Sequence, residues 1–400
     1  MLSRIFNGDW LKSFLLSGFF TLVPFVTNAA DNHAHSAMRD TCVLIDNDFD
    51  IDDMMAIPTV IARKYVAAII QSEGYTFPEQ GAAAIDVLVN QIPDQPNQRK
   101  IPIIVGGKQN PAPDINQWYW VPFFRSMMNQ AVGLLPVLPK TWPTDNNYVD
   151  KVVKSVADCQ KVSVLIIGTY TSFIQYASAI KPKIENVITM GQHTGDNSRS
   201  PGRESFNCYY DWSACQRAMT LLESFKTYFV DIPRENDVGG ICVNTLTPSP
   251  NCYSTSYEMV MGGHNSEGLK DKGLPGQLKR ALTNPINCNS KYTKNSDPNK
   301  TMPNPKFLDS GLSDCTALSV WVPANVAAGP GGEMFLWDQS TALFLLHPEL
   351  FSLYYPTDSH DHGGKHYEPT LINGSHADTA ALIRRIWTKE TNRGTNFQTN

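Results

Sequence analysis

The chain has 400 residues, 42% of them hydrophobic, and a formal net charge of −5. That length and apolar content suffice for a large buried core, in one large or two small domains. No basic run or stripe marks a surface for a nucleic-acid polymer, so any nucleic-acid-derived ligand is expected to be a small molecule.

In chain order, the first feature is a segment unlike the rest. Arg4 and Lys12 precede an apolar run from Phe14 to Val26 that ends in Thr27-Asn28-Ala29-Ala30. Positive flanks, a short apolar stretch and a small-residue end predict a secretory signal over residues 1–30. The run is short for a bilayer span; an uncleaved membrane anchor is the alternative. The remainder, residues 31–400, is expected to be exported, periplasmic or secreted, with no stable membrane insertion. Cysteine usage fits that address: Cys42, Cys159, Cys208, Cys215, Cys242, Cys252, Cys288 and Cys315 include no C-x-x-C pair. An even count in an exported chain predicts disulfides and argues against a zinc knuckle. Their connectivity stays open.

From residue 43 onward short apolar runs alternate with helical patterns. Buried strands are predicted at Val43–Ile45, Val66–Ile70, Ile101–Val105, Val162–Ile167 and Val187–Met190, with a weaker sixth at Phe225–Val230. Helical segments lie between them, at Ala56–Tyr65, Glu79–Gln91, Tyr148–Cys159, Ser172–Ile180 and Asp211–Leu222. This alternation predicts an α/β fold with a mostly parallel central sheet and helices on both faces. In such sheets the ligand crevice lies beyond the carboxyl ends of the strands. Polar residues and glycines gather at those ends: Asp46-Asn47-Asp48, Glu73-Gly74, Gly106-Gly107, Gly168-Thr169 and Gly191-Gln192.

Residues 232–316 are rich in Asn, Pro, Gly, Ser and Cys and show little apolar periodicity. They are read as a long, disulfide-braced insertion or lid within the same domain. Near the end, Ser359-His360-Asp361-His362-Gly363-Gly364-Lys365-His366 has a spacing that could bind a transition metal. A surface loop lining the cleft is the preferred reading there.

The sharpest feature is Asp46-Asn47-Asp48-Phe49-Asp50-Ile51-Asp52-Asp53, five carboxylates in eight residues directly after a buried strand. Crowded together they repel, and a hard cation relieves the repulsion; an oxygen-rich set without Cys or His suits calcium or magnesium. Asp52 and Asp53 also open a helix, whose positive end tolerates negative charge. A solvated acidic turn is the alternative. An EF-hand loop is excluded, because its sixth and twelfth places, counted from Asp46, hold Ile51 and Ile57.

Strand-D-x-D-x-x-x-D-D-helix resembles the signature of the inosine-uridine-preferring nucleoside hydrolase family. Further segments follow in that family's order: Leu165-Ile-Ile-Gly168-Thr-Tyr-Thr171-Ser172, then Met190-Gly191 with Asn197, Phe206-Asn207 and Asp211, then Trp337-Asp338 with Ala342 and His347-Pro348. The resemblance covers roughly residues 43–350 apart from the insertion. It implies a calcium held by Asp48, Asp53, the backbone carbonyl of Ile167 and Asp338, with Asp46 and Asp52 supporting. It implies Asp48 as general base, ribose contacts from Asp52, Asn197, Asn207 and Glu204, and Met190 against the sugar. A small-molecule nucleoside substrate and a homo-oligomer are likewise implied. Carboxylates beside the sugar suit the chemistry, since breaking an N-glycosidic bond builds positive charge on the ribose.

The chain also departs from that pattern. Trp337 stands where many members place a histidine before the late aspartate, which resembles the purine-preferring branch, where aromatic residues stack on the base. Trp118, Tyr119 and Trp120 could supply the other face of such a stack, or could be ordinary packing. Tyr75 replaces a common Asn after Gly74, the Glu-Phe-Asn run is stretched to Glu204-Ser205-Phe206-Asn207, and Pro58 is expected to kink the helix after the acidic cluster or delay its start. Three rival classes compete, the weakest a structural or adhesion role for the Cys-rich insertion, which no repeat or exposed amphipathic helix recommends. A haloacid dehalogenase-type phosphatase also begins strand-D-x-D and needs a later lysine, for which Lys161 is the candidate. A non-catalytic nucleoside-binding protein would need no general base at Asp48.

Overall fold

The computed structural model describes residues 40–95, 97–108, 147–190, 206–230, 267–283, 337–354, 364–373 and 376–394. The elements are β1 (Thr41–Asn47), α1 (Ile51–Ile61), β2 (Val66–Gln71), α2 (Pro78–Asn90), β3 (Ile103–Val105), α3 (Tyr148–Ser155), β4 (Lys161–Ile166), α4 (Phe173–Ile180) and β5 (Ile184–Met190). They continue with α5 (Phe206–Tyr210), α6 (Trp212–Leu222), β6 (Thr227–Val230), α7 (Gly273–Thr283), α8 (Trp337–Leu346), β7 (Phe351–Tyr354), β8 (Lys365–Pro369) and α9 (His376–Arg393).

The strands form one eight-stranded sheet in the order β3-β2-β1-β4-β5-β6-β8-β7. Every pairing is parallel except that of β7 with β8. The expected mostly parallel sheet is therefore present. Strand order reverses between β1 and β4, and the acidic loop leaves β1 at that switch point, the place where ligands bind in sheets of this kind.

Alternation along β1 separates two cores. Val43 and Ile45 join a cluster with α1, α7, α8 and Trp387, whereas Cys42 and Leu44 face Phe173, Tyr176, Ala218 and Leu222 on the other side. Both faces are thus covered, which explains why β1, β2 and β4 read as nearly unbroken apolar runs. Disulfides join Cys42 to Cys159 and Cys208 to Cys215. The first ties the start of β1 to the turn before β4, its neighbour in the sheet.

Some expectations need correcting. α1 begins at Ile51 and runs on past Pro58, so the proline does not delay its start. The proline removes one backbone donor, but helical bonds resume beyond it, Ala62 N–H reaching the Pro58 carbonyl at 3.0 Å. Within the segment read as a loop-rich insertion, α7 places Leu274, Leu278, Ala281 and Leu282 in the first core. Part of the histidine-rich stretch is a strand: His366 belongs to β8, is buried, and stacks on Phe229 with ring centroids 4.7 Å apart and 11° between planes. The rest of that stretch, residues 359–363, lies outside the described residues. So do residues 1–39, and with them the predicted signal. No helix among the described residues is long and apolar enough to cross a membrane.

Candidate active site

The loop from β1 to α1 is built around its own carboxylates. Phe49 adopts φ 55°, a left-handed conformation that is unusual for a bulky residue, while its ring is fully buried. Its N–H donates to Asn47 Oδ1 at 3.1 Å, and the Asn47 amide donates in turn to the Ile70 carbonyl at 2.8 Å. Burial of the ring and these two bonds hold a turn that the residue would not choose alone.

Asp50, to which no role was given, caps α1. Its side chain accepts from the Asp53 backbone N–H, and Asp53 Oδ2 accepts from Asp50 N–H at 2.7 Å, a reciprocal capping box, while Asp50 Oδ1 also takes Ile51 N–H at 2.6 Å. Asp53 therefore spends one oxygen on the helix start. Its other oxygen, Oδ1, is buried and has no hydrogen-bond partner among the described residues.

Asp338 reaches the same place from far along the chain. It lies in the first turn of α8, which packs against α1, and its N–H approaches Asp52 Oδ2 at 3.4 Å. Carboxylate oxygens of Asp52, Asp53 and Asp338 lie within 4.8 Å of one another, and all three residues are buried. Asp338 Oδ1, like Asp53 Oδ1, has no partner. Asp48 lies against Asp53. Its Oδ2 accepts from Tyr75 N–H at 2.8 Å and its backbone carbonyl from the Thr76 hydroxyl at 2.9 Å.

So many buried acids cannot all ionise unaided. Burial, with the Asp53 and Tyr75 hydrogen bonds opposing and the Asp52 charge adding, pushes Asp48 up to about 7. Burial likewise raises Asp52. Burial and the neighbouring carboxylates hold Asp50, Asp53 and Asp338 well above the usual carboxylate range. A dry cluster of one sign, two of whose members keep an unpartnered oxygen, is the arrangement that a hard divalent cation satisfies. The residues present fit such an ion.

Beneath the cluster Asp46 is buried and pushed up to about 7, chiefly by burial; it accepts from the Ser72 hydroxyl at 2.6 Å. Ser72 and Ser172 hydroxyls are 2.6 Å apart, and Ser172 Oγ accepts Gly107 N–H at 2.8 Å, so the ends of β1, β2, β3 and β4 are cross-linked. Two close approaches demand glycine. A Cβ on Gly74 would lie 2.0 Å from Asp48 Oδ2, and one on Gly168 would lie 2.4 Å from the Asn47 backbone carbon.

The other candidates divide into those brought to this edge and those beyond view. Ile167 follows β4 directly, and its carbonyl accepts the Asn207 amide at 2.9 Å. Met190 ends β5, 7% exposed, and Trp337 is half-buried against the first core beside Asp338. Asn197, Glu204, Trp118 and Trp120, with Tyr119, lie outside the described residues. Tyr75 was treated only as a departure, yet it sits in the site: its ring meets Phe206 at 4.3 Å and its hydroxyl bonds Asp50. Glu73, Thr169, Thr171, Tyr210 and Asp211 form a supporting set to which the sequence assigned no role. Tyr210 donates to Glu73 Oε1 at 3.0 Å, Thr169 to the Glu73 carbonyl at 2.7 Å, and Thr171 to Asp211 Oδ2 at 2.6 Å. Thr171 and Asp211 stood within the quoted motif segments and Glu73 and Thr169 at strand ends, while nothing in the sequence marked Tyr210. Lys161, the lysine required by the phosphatase reading, starts β4, at the end of the strand away from the acidic loop, and pairs with Glu185 at 2.9 Å.

No family model and no curated protein matches the chain. Among solved structures, a plant nucleoside hydrolase is similar at a TM-score of 0.51 and 13% identity, with 87% of this chain and 99% of that one covered. A purine-preferring ribonucleoside hydrolase from Gardnerella vaginalis is similar at a TM-score of 0.50 and 15% identity, over 88% of this chain and 99% of that one. At such identities the likeness establishes a shared fold.

Proposed function

We propose that the chain is a calcium-dependent nucleoside hydrolase that uses water to cut the bond between ribose and a nucleobase, purines preferred. The observation that carries this reading is the convergence of Asp52 and Asp53, from the start of α1, with Asp338, from the start of α8, each buried and two of them with an oxygen left over. The shared fold and the order of the sequence motifs support it.

Asp53 and Asp338, joined by Asp48 and the Ile167 carbonyl, would hold the ion, with Asp52 beside them. A calcium bound there supplies charge that lowers the pKa of a water and engages neighbouring hydroxyls. Asp48, fixed by the Tyr75 and Thr76 bonds, takes the proton from the attacking water. Asp52, Asn207 and Met190, with Asn197 and Glu204, grip the ribose. The carboxylates also stabilise the positive charge that develops on the sugar as the bond breaks. Trp337, with Trp118 or Trp120, stacks on the base; each stack contributes roughly 1–3 kcal/mol. Export of the chain, a homo-oligomeric state and a disulfide-braced segment over 232–316 belong to the same proposal; the two disulfides support the first.

The test is incubation with inosine, adenosine, guanosine and uridine, with and without a calcium chelator, while reducing sugar is assayed. Release of ribose and free base that the chelator abolishes is the expected result. Tight nucleoside binding without turnover would replace the reading with a binding protein. Phosphate released from a phosphomonoester, with no free base, would replace it with a phosphatase.

A further inference from the structure

Asp338 opens a run of three consecutive residues with buried polar atoms that find no partner among the described residues. Besides Asp338 Oδ1, the Oε1 and Nε2 of Gln339 and the Oγ of Ser340 make no hydrogen bond, and both residues are 0% exposed. Folded proteins rarely leave such atoms unpaired, because each has given up its hydrogen bonds to water. The free oxygens of Asp53 and Asp338 would be answered by a cation. The Gln339 amino group cannot be, because it is a donor and needs an acceptor. Successive helical residues also fan out by about 100°, so Asp338, Gln339 and Ser340 cannot all turn toward one ion. The partner of Gln339 and Ser340 is a second, different one, a ligand group or a buried water.

The position of the run says where that partner sits. Trp337, Asp338, Gln339 and Ser340 form the first turn of α8, at the end that meets the acidic start of α1. Ser340 shares a face with Trp337 and Phe344. Phe344 packs on Tyr228 of β6 and Tyr367 of β8, so this face is turned toward the sheet.

We infer that Gln339, with Ser340, forms an uncharged polar subsite beside the carboxylates that contacts the ligand, and that Gln339 determines specificity there. The inference rests on the nucleoside hydrolase reading. A carboxamide presents an acceptor and donors in one plane, so its partner is a neutral group that both donates and accepts. The amino and ring-nitrogen edge of adenine is such a group, and so is a pair of ribose hydroxyls.

The test is Gln339→Leu, close in shape and apolar, with Ser340→Ala beside it. Without ligand, Gln339→Leu loses no hydrogen bond, so its Tm stays level or rises. Its KM for adenosine rises by about tenfold or more, with kcat changed less, because the partner group is now left unpaired. Competition assays with adenine and with ribose identify the occupant: the competitor whose inhibition weakens is the one the subsite holds. If the wild-type protein cleaves adenosine while Gln339→Leu matches it in KM and in both inhibition constants, the inference is overturned. The same holds if its ligand-free Tm falls while kinetics are untouched, since the carboxamide is then structural. A wild-type protein that neither binds nor cleaves any nucleoside sinks the functional reading itself, an outcome visible before any variant is made.

Discussion

At the scale of single residues, the site is governed by a conflict between burial and charge. Asp53 shows it best: one oxygen closes the capping box of α1 and the other has no partner. Asp53→Asn keeps a carbonyl for the box and removes one buried charge. In chelator its Tm should equal or exceed that of the wild type, whereas stabilisation by added calcium should shrink, with ion affinity down roughly 100-fold. Thermal melts with and without calcium decide it; a variant that calcium still stabilises fully would remove Asp53 from the ion site. A pH effect follows from the same burial. Asp46 and Asp48 rise from 3.8 to about 7 on folding, so between those values the folded, ion-free chain binds more protons than the unfolded one. Stability of the ion-free protein is then greatest at the acid end and is lost as pH climbs from about 4 through about 7. Denaturant titrations in chelator should give a lower midpoint at pH 8 than at pH 5, and calcium should reverse that order. An ion-free midpoint that rises with pH would contradict the burial argument.

At the scale of elements, close contacts between loops set what can be changed. Gly168 leaves β4 against the backbone of Asn47 and Asp48, where an added Cβ meets main-chain atoms and not a movable side chain. Gly168→Ala should cost about 2–3 kcal/mol and displace the loop that carries Asp48. Urea unfolding with activity measured in parallel checks this, and a variant of wild-type stability would show that the loops can part. The same scale shows what the sequence made legible. The buried strands β1, β2 and β4 announced themselves as apolar runs, because parallel strands covered on both faces have no polar side. The acidic loop was equally plain, since no solvent-facing helix start needs five carboxylates. By contrast, β8 reads Lys365-His-Tyr-Glu-Pro369 and is only partly buried, so neither alternation nor an apolar run marks it. α7 opens with Gly-Leu-Pro-Gly, which reads as a turn, although Leu274, Leu278, Ala281 and Leu282 carry helical spacing. Its signal was present but lay within a segment judged by average composition. Asp50 as a cap, and the Glu73–Tyr210 and Thr171–Asp211 pairs, were illegible for another reason: their partners are distant in sequence or depend on a turn the sequence only hints at.

At the scale of the whole molecule, the question is how two helices far apart in sequence hold their carboxylates in register. α1 and α8 meet at their acidic ends, and α9 fastens them elsewhere. Trp387, fully buried, donates to the Met55 carbonyl at 3.2 Å, and the Thr391 and Thr59 hydroxyls are 2.7 Å apart. Glu390 is the common anchor. It pairs with Arg63, just past α1, at 2.9 Å, with Arg393 at 3.4 Å, and with His347, just past α8, at 3.2 Å. Because its carboxylate is only 3% exposed while Arg63 is 33% exposed, removing it leaves cations that can still reach water. The cost is therefore smaller than for a fully buried pair. Glu390→Ala should lower stability by about 2 kcal/mol. A purely local defect would stop there. If α9 instead sets the spacing between α1 and α8, the variant should also lose part of its stabilisation by calcium, although no ion ligand has been touched. Glu390→Gln, which keeps the acceptor for Arg63 and most of the volume, should lose less on both counts. Calcium titrations followed by thermal melts separate the two cases: full calcium stabilisation in Glu390→Ala would mean that the contact between α1 and α8 alone holds Asp338 against Asp53.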